Sequence, residues 1–286
     1  MPAITLEKTE QTDLVERLFK VAFWIFVGAI VFSIAGTLLL KLAPSTLEFF
    51  GPIYPQLVKT PTWTYMTLLP ILPVLMYSRS LGAGRMVFFV LWGSIVGGMS
   101  ELIGTTTGFP FGAYAYTTWL GPKLLGHVPY FIPLSWFAMS IISLDLARRI
   151  TTRRWQRILA ATVLMTLWDV SLDPAMSRAF PFWTYPDGGF FFGMPASNWA
   201  GWLGVSLVIV LGYEFLGGGL RASNRWAPWV YVLNCAFPLS ISLLYGLFVA
   251  FFIGLAATAL PLLALWKWDQ PTVRNEVLKE PMTQTP

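Results

Sequence analysis

The chain has 286 residues, of which 56% are hydrophobic and only 12% are charged, and its mean hydropathy is +0.63. A soluble domain carries roughly twice that charged fraction, so a soluble globular class is excluded. One cysteine, Cys235, excludes an internal disulfide, and one histidine, His127, excludes a histidine-built metal centre. The net charge of +5 does not indicate nucleic-acid binding, because the positive residues lie between apolar segments.

Eight apolar segments approach the ~20 residues that a helix needs to cross a bilayer. In chain order they are 20–42, 63–78, 86–104, 129–147, 156–174, 199–216, 227–246 and 247–266. As a single helix, the last two would extend ~60 Å, about twice the hydrocarbon thickness. A turn near Tyr245 and Gly246 is therefore predicted between them. The pattern predicts an all-α, polytopic transmembrane helix bundle of about eight spans.

The predicted organisation is one membrane domain with short polar ends. Residues 1–19 form an N-terminal cytoplasmic segment, 20–266 the transmembrane catalytic domain, and 267–286 a polar tail expected to be disordered. The first span follows a mixed-charge stretch without a small-residue cleavage site, which favours a retained span over a signal peptide. We find no internal repeat and no second domain.

Charge placement sets the expected orientation. Eight spans place 15 of the 19 basic residues on one side of the membrane, and leave Lys41, Lys59, Lys123 and Arg178 on the other. The positive-inside rule then puts both termini in the cytoplasm, in a multi-pass protein of the cell membrane. A seven-span topology would move the C-terminal basic residues outside and weaken this bias.

A carboxylate interrupts the third span. Glu101 begins the stretch "ELIGTTTGFPFGAYAYT", about one turn from the end of that span, and a Gly-, Pro- and aromatic-rich loop without charge follows it. The segments 105–128 and 175–198 are the two longest connections, and the topology puts both on the non-cytoplasmic side. Long ordered loops are often functional.

A second acidic pair lies near the same membrane face. Asp169 and Asp173 occur in "LWDVSLDPAM", and their i, i+4 spacing puts them on one helix face, ~6 Å apart along the axis. Pro174 predicts that the helix ends or kinks there. Asn198, in "GMPASNWAGW", opens the sixth span from the same side. Two carboxylate-bearing helices and two loops are therefore expected to converge.

Two interpretations of these acids stay open. Acids in a membrane are costly and usually face the bundle interior, where they form a polar clamp or perform chemistry or transport. Two like charges this close disfavour joint ionisation, so that one carboxyl can remain a neutral proton donor. Asp145, beside Arg148 and Arg149, is expected to form an interfacial ion pair, and Glu214 to be a helix-end acid near Arg221 and Arg225.

Aromatic residues cluster in both loops beyond what a membrane-interface belt requires. Their rings could line a site for a long apolar ligand or stabilise a cation. The spans contain no buried lysine for a Schiff base, and the chain has no histidine box and no phosphate-binding glycine loop. Cofactor-free acid–base chemistry on a lipid-soluble substrate, or transport, remains.

Three motifs carry a family resemblance. Together "ELIGTTTGFPFGAYAYT", "LWDVSLDPAM" and "FWTYPDGGFFFGMPASNWAGW" resemble the CruF-type carotenoid 1,2-hydratases and their bisanhydrobacterioruberin hydratase relatives, over about residues 60 to 265. The resemblance implies a hydro-lyase that adds water across the terminal C1–C2 double bond of an acyclic ψ end group to give a tertiary alcohol. It implies no metal or organic cofactor. The partners it implies are water, the lipid bilayer, other carotenoid-pathway enzymes and a substrate such as γ-carotene, lycopene or a C50 precursor.

The residues fit that implication. Protonation of the alkene followed by water capture of a tertiary cation needs a neutral acid in a dry site and cation-tolerant walls. The candidate acids are Glu101 and Asp173, followed by Asp169. The candidate substrate-binding residues are aromatic side chains and one amide: Phe109, Phe111, Tyr114, Tyr116, Trp168, Trp183, Phe192, Asn198 and Trp202.

Two other classes use the same acids. A proton-coupled transporter is one, although such proteins often show inverted repeats. A cofactor-free isomerase or cyclase acting on carotenoid or lipid ends is the other, and a cyclase also begins by protonating an alkene. The product mass separates them, since only hydration adds a water.

Overall fold

The computed structural model describes residues 2–268, with side chains described for residues 14–263. The chain is built from long helices joined by short connections and two longer loops. In chain order the helices are α1 (Pro2–Leu42), α2 (Thr46–Phe50), α3 (Tyr54–Leu81), α4 (Ala83–Thr107), α5 (Phe131–Ile150), α6 (Arg154–Pro174), α7 (Ala196–Leu211), α8 (Ala227–Leu244) and α9 (Phe248–Trp268). A 3₁₀ turn, Gly51–Ile53, joins α2 to α3. Residues 269–286 of the predicted tail lie outside the described residues.

The predicted all-α bundle is confirmed, and each predicted span falls in its own helix. Within the described part of the chain, six helical segments are long and apolar enough to cross a membrane: Leu14–Leu42, Ala83–Thr107, Phe131–Ile150, Arg154–Ala179, Ala196–Leu216 and Ala227–Leu244. The other two predicted spans lie in α3 and α9. Within α9, Phe248–Leu263 is a shorter apolar segment. The orientation of the termini stays a prediction.

Glycines divide the apolar stretches into separate helices. The predicted turn after α8 is confirmed, because Gly246 has a φ of +74° between the end of α8 and the start of α9. Gly82, with a φ of +78°, separates α3 from α4 in the same way. Both positions lie in the left-handed region that glycine adopts at little steric cost. The chain can therefore reverse direction within a few residues.

Helices α5 and α6 form the centre of the bundle and are the most buried, whereas α1 and α4 are the most exposed of the spanning segments. Helix α4 packs closely on α5 because Gly97 has no side chain. A Cβ atom at Gly97 would lie only 2.4 Å from the side chain of Trp136. The close approach holds the Trp136 ring against the helix that carries Glu101.

The two long loops form one cover at one end of the bundle. Strand β1 (Ala115–Tyr116) in the first loop pairs antiparallel with β4 (Trp183–Thr184) in the second. A second pair, β2 (Lys123–Leu124) with β3 (Val128–Pro129), folds the first loop on itself. The predicted convergence of both loops is confirmed by this pairing. As predicted, α6 ends at Pro174, and a single π-helical turn, Ala175–Ala179, continues it into the second loop.

The acids at the opposite end of the bundle have structural partners. Asp145 is buried and accepts hydrogen bonds from the Tyr77 hydroxyl at 2.6 Å, from Arg149 Nε at 3.0 Å and from the Asn224 backbone N–H at 2.6 Å. The expected pairing with Arg149 is therefore present. The hydrogen bond from Asn224 ties the loop before α8 to α5.

Glu214 corrects an expectation. It accepts two hydrogen bonds from Arg157, at 2.8 and 2.7 Å, and lies 3.8 Å from Arg154. The predicted neighbours Arg221 and Arg225 were inferred from closeness in sequence. The bundle instead places Glu214 against the first turn of α6, 57 residues away from Arg157 in the chain.

Candidate active site

Three buried carboxyl groups lie at the end of the bundle covered by the loops. Glu101 is 5% exposed, Asp169 2% and Asp173 1%. Helix α4 carries the first and α6 the other two. The predicted convergence of these helices is therefore present. The three carboxyl groups differ in how many hydrogen bonds they accept.

Glu101 accepts three hydrogen bonds. The Tyr114 hydroxyl donates to Oε2 at 2.5 Å and the Tyr116 hydroxyl to the same oxygen at 2.8 Å, and Trp136 Nε1 donates to Oε1 at 2.9 Å. Two donors come from the first loop and one from α5. A carboxylate accepts hydrogen bonds only, so three donors match its ionised form.

The phenol groups around the site are donors that keep their protons. Burial is the main cause that raises the pKa of Tyr114 and Tyr116, and the neighbouring Glu101 raises it further. Burial and then Asp173 raise the pKa of Tyr185. These hydroxyls therefore remain neutral at physiological pH and can hold carboxylates in place.

Asp173 also has several donors. Trp183 Nε1 donates to Oδ1 at 2.6 Å and the Tyr185 hydroxyl to Oδ2 at 2.8 Å, both from the second loop. The Asn198 amide lies 3.4 Å from Oδ2. Asp173 therefore anchors the second loop to the end of α6.

Asp169 has the fewest partners of the three. Asn198 Nδ2 donates to its Oδ2 at 2.9 Å. Its other oxygen, Oδ1, accepts no hydrogen bond from the residues that the structure describes. Asp169 also lines the cavity at the centre of the site, as Glu101 does and Asp173 does not. Asp169 is thus the acid with the fewest hydrogen-bond donors, and it lies beside the cavity.

That cavity has a volume of about 90 Å³ and is surrounded mainly by apolar and aromatic side chains. Three tryptophans form its most compact wall. The rings of Trp136 and Trp202 stack with centroids 4.1 Å apart, and Trp168 meets Trp202 nearly perpendicularly at 5.7 Å. We call these three residues the tryptophan wall.

Most of the predicted substrate-binding residues line this cavity. They are Phe111, Tyr114, Tyr116, Trp168, Trp183, Asn198 and Trp202. Phe109 does not, and its side chain is 74% exposed. Phe192 does not either; it packs against Phe191, and its carbonyl accepts a hydrogen bond from Arg178.

Sequence reasoning missed several lining residues. Trp136, Tyr185, Tyr65 and residues of α1 border the cavity but were not among the candidates. One signal for Trp136 was available, because it lies near the middle of its predicted span instead of at the interface where belt tryptophans occur. Tyr65 donates a hydrogen bond to Asn234, a pairing between α3 and α8 that no local pattern indicates.

Among the side chains described, those of residues 14–263, no three His, Cys, Asp or Glu residues are grouped closely enough to hold a metal ion. The absence of a metal and of a cofactor stays an expectation. The chemically active groups of the site are carboxyl groups, phenols, indoles and one amide.

A helix bundle with buried carboxyl groups beside an aromatic-walled cavity is suited to acid–base chemistry on an apolar ligand. The family model described as carotenoid biosynthesis protein matches residues 62–261, and the chain belongs to this family. A bisanhydrobacterioruberin hydratase from Haloarcula japonica is 36% identical over 167 residues, which is 55% of this chain and 55% of that protein. The match thus spans about half the length of this curated relative. No solved structure matches the chain.

Proposed function

We propose that this protein is a carotenoid hydratase that adds water across the terminal C1–C2 double bond of an acyclic ψ end group, giving a tertiary alcohol. The observation that carries the proposal is Asp169, a buried acid with one donor that lines a tryptophan-walled cavity. The family membership and the hydratase relative support the substrate class.

Hydrogen bonding favours Asp169 as the proton donor. Glu101 accepts three hydrogen bonds and Asp173 has two close donors, which stabilise their carboxylate forms. Asp169 lies one turn from Asp173 and has a single donor, so an ionised Asp169 would face a like charge with little compensation. This assignment reverses the order expected from sequence, in which Asp169 came last.

The reaction then needs two proton transfers and one water, and it consumes nothing else. Asp169 gives its proton to C2 of the alkene, and the electron pair of the double bond forms the new C–H bond. The positive charge resides on C1, where three carbon substituents stabilise it. Water adds to C1, and the carboxylate of Asp169 takes the proton that the bound water loses. The acid is regenerated, and the product differs from the substrate by one water.

The walls of the site suit the cationic intermediate. The tryptophan wall presents indole rings, which attract a cation most strongly among aromatic side chains. The carboxylate of Glu101, fixed by its three donors, adds a negative charge that needs no reorganisation during the reaction. Asn198 orients Asp169 through its amide and supplies a polar group at the cavity that a water molecule can use.

The loop cover limits the entry of bulk water. Strands β1 and β4 join the two loops above the carboxyl groups, and Tyr114, Tyr116, Trp183 and Tyr185 point from these loops to Glu101 and Asp173. A dry site keeps the tertiary cation from uncontrolled side reactions.

Expression in a host that accumulates lycopene or γ-carotene tests the proposal. Chromatography with mass detection should show a more polar carotenoid whose mass is increased by one water for each reacted end. A new carotenoid of unchanged mass would instead indicate a cyclase or isomerase. Unchanged carotenoids, with the protein present in the membrane, would contradict the proposed activity on these substrates.

A further inference from the structure

A second and larger cavity adjoins the site. Its volume is about 690 Å³, within the range of about 300–1,000 Å³ that ligand pockets occupy. It lies between the C-terminal half of α1, the first half of α3 and the end of α8. Its walls are mainly apolar, with Phe32, Leu39, Leu57, Val58 and Ile241 among them. We call this cavity the α1–α8 slot.

The slot directly adjoins the cavity beside Asp169. Five side chains border both spaces: Ser33, Thr62, Met176, Phe182 and Phe237. They come from α1, α3, the π-helical turn, the second loop and α8. None of these five side chains is charged, so the boundary between the two spaces would not repel an apolar chain.

The combined space is elongated. Along α1 the lining begins at Ala29 in the catalytic cavity and ends at Lys41 in the slot. At 1.5 Å per residue, these twelve steps correspond to ~18 Å. The far end has an interfacial character, because Lys41 Nζ lies 3.9 Å from the ring centroid of Tyr245. Lysine and tyrosine are typical of span ends that meet the headgroup region.

We propose that the α1–α8 slot holds the polyene chain of the substrate while the reacting end group lies against the tryptophan wall. The identity of the occupant rests on the proposed function. A rod-shaped apolar molecule with a reactive terminus matches a long apolar slot that ends at a buried acid. The slot therefore selects for a linear chain behind the reacting end.

Two glycines on α1 provide a matched test. Gly36 lines the slot, and a Cβ atom added there would meet no heavy atom within 4 Å. Gly28 lies two turns earlier, borders neither cavity and is equally unobstructed. The series Gly36→Ala, Gly36→Val and Gly36→Leu fills the slot stepwise. The same series at Gly28 makes identical changes on an outward-facing position of the same helix.

The first readout is the carotenoid that copurifies with the protein from a carotenoid-accumulating host, measured by visible absorption per folded protein. We expect it to fall stepwise with side-chain size at position 36, reaching at least about tenfold for leucine, and to stay constant at position 28. Equal carotenoid content in the two series would overturn the proposal. The proposal would also be overturned if the position 36 variants lost copurified phospholipid while their copurified carotenoid stayed constant.

The second readout is turnover. Gly36→Leu should lose more turnover on a full-length carotenoid than on a short acyclic terpenoid with the same end group, because the short chain does not extend along the slot. Equal losses on both substrates would contradict the slot assignment. If the amount of copurified carotenoid falls in Gly36→Leu but the parent protein forms no hydrated product, the result supports the slot and refutes the hydratase activity.

Discussion

The amide of Asn198 donates a hydrogen bond to Oδ2 of Asp169 at 2.9 Å and joins the first turn of α7 to the last turns of α6. Both side chains are buried, and both line the catalytic cavity. The other oxygen of Asp169 accepts no hydrogen bond from the residues that the structure describes. In the proposed mechanism, the contact with Asn198 holds the acid in place, and the free oxygen carries the proton.

Asp169→Asn should abolish most of the hydration. The amide has similar size and polarity but no acidic proton, and general acid catalysis contributes about 10²–10⁴-fold. We expect a loss at the upper end of that range, because an alkene offers no easier protonation route. The measurement is hydroxylated carotenoid formed per membrane-inserted protein. Asp187→Asn, the same change at an exposed loop position, serves as the control and should keep full activity.

Comparison with Glu101→Gln and Asp173→Asn checks the role assignment. If Asp169→Asn stays within a few-fold of the parent while Glu101→Gln or Asp173→Asn loses activity, the proton donor is the acid whose substitution caused the loss.

Asp145→Asn should keep its activity per folded protein but reduce the amount of protein, because Asp145 is buried with Arg149 and Tyr77.

Substitutions at Asn198 should separate orientation from charge. Asn198→Ala removes one donor to Asp169 and should lower kcat by about 10–100-fold, the equivalent of about 1–3 kcal/mol for an unsatisfied buried group. Asn198→Asp also adds a like charge beside Asp169 and Asp173 and should lower kcat further. Copurified carotenoid, measured for both variants, separates a loss of turnover from a loss of substrate binding. Similar kcat values for the two variants would argue against an electrostatic contribution.

The tyrosines that hold Glu101 provide a third prediction. Hydrogen bonds to charged groups contribute about 1.5–3 kcal/mol, so Tyr114→Phe or Tyr116→Phe should lower turnover by about 10–100-fold. The two hydroxyls share Oε2 of Glu101, so the double variant should lose less than the product of the single losses. Tyr130→Phe, at a half-exposed loop tyrosine, is the matched control and should have no effect. A double variant whose loss of turnover equals the product of the two single losses would contradict a shared role.

The carboxyl groups and both loops could be predicted from sequence because local patterns indicate them. A charge within an apolar run must face the protein interior, and the i, i+4 spacing of Asp169 and Asp173 places both on one face. The contact of Trp136 with Glu101 and the α1–α8 slot could not be predicted, because both depend on which helices pack together. Glu214 shows the same limit, since its partner Arg157 is distant in sequence and adjacent only in the bundle.

The topology can be tested directly. Eight spans and the positive-inside rule predict that both termini lie in the cytoplasm. The pairing of β1 with β4 places both loops at one end of the bundle, which the same topology predicts to lie on the opposite side. Reporter fusions after residue 20 and after residue 267 should both report the cytoplasm, and a tag inserted at the exposed Asp187 should be accessible from outside. An external C-terminal reporter would remove the eight-span topology and favour seven.

A carotenoid with two acyclic ends provides the last prediction. The lining of the cavity and of the slot extends from Asp169 to Lys41. In the proposed binding mode, they hold one chain with one end at the acid. The second end cannot reach Asp169 until the molecule leaves and re-enters in the opposite direction. A time course with lycopene should therefore show free mono-hydroxylated product before the dihydroxylated product. The lag before the dihydroxylated product should lengthen as the lycopene concentration is raised, because unreacted lycopene competes for the slot.

The control is a carotenoid with one cyclised end, which should give a single product without a lag. Dihydroxylated product formed from the start, in the absence of free mono-hydroxylated product, would show that both ends are processed without release and would contradict a single-entry slot.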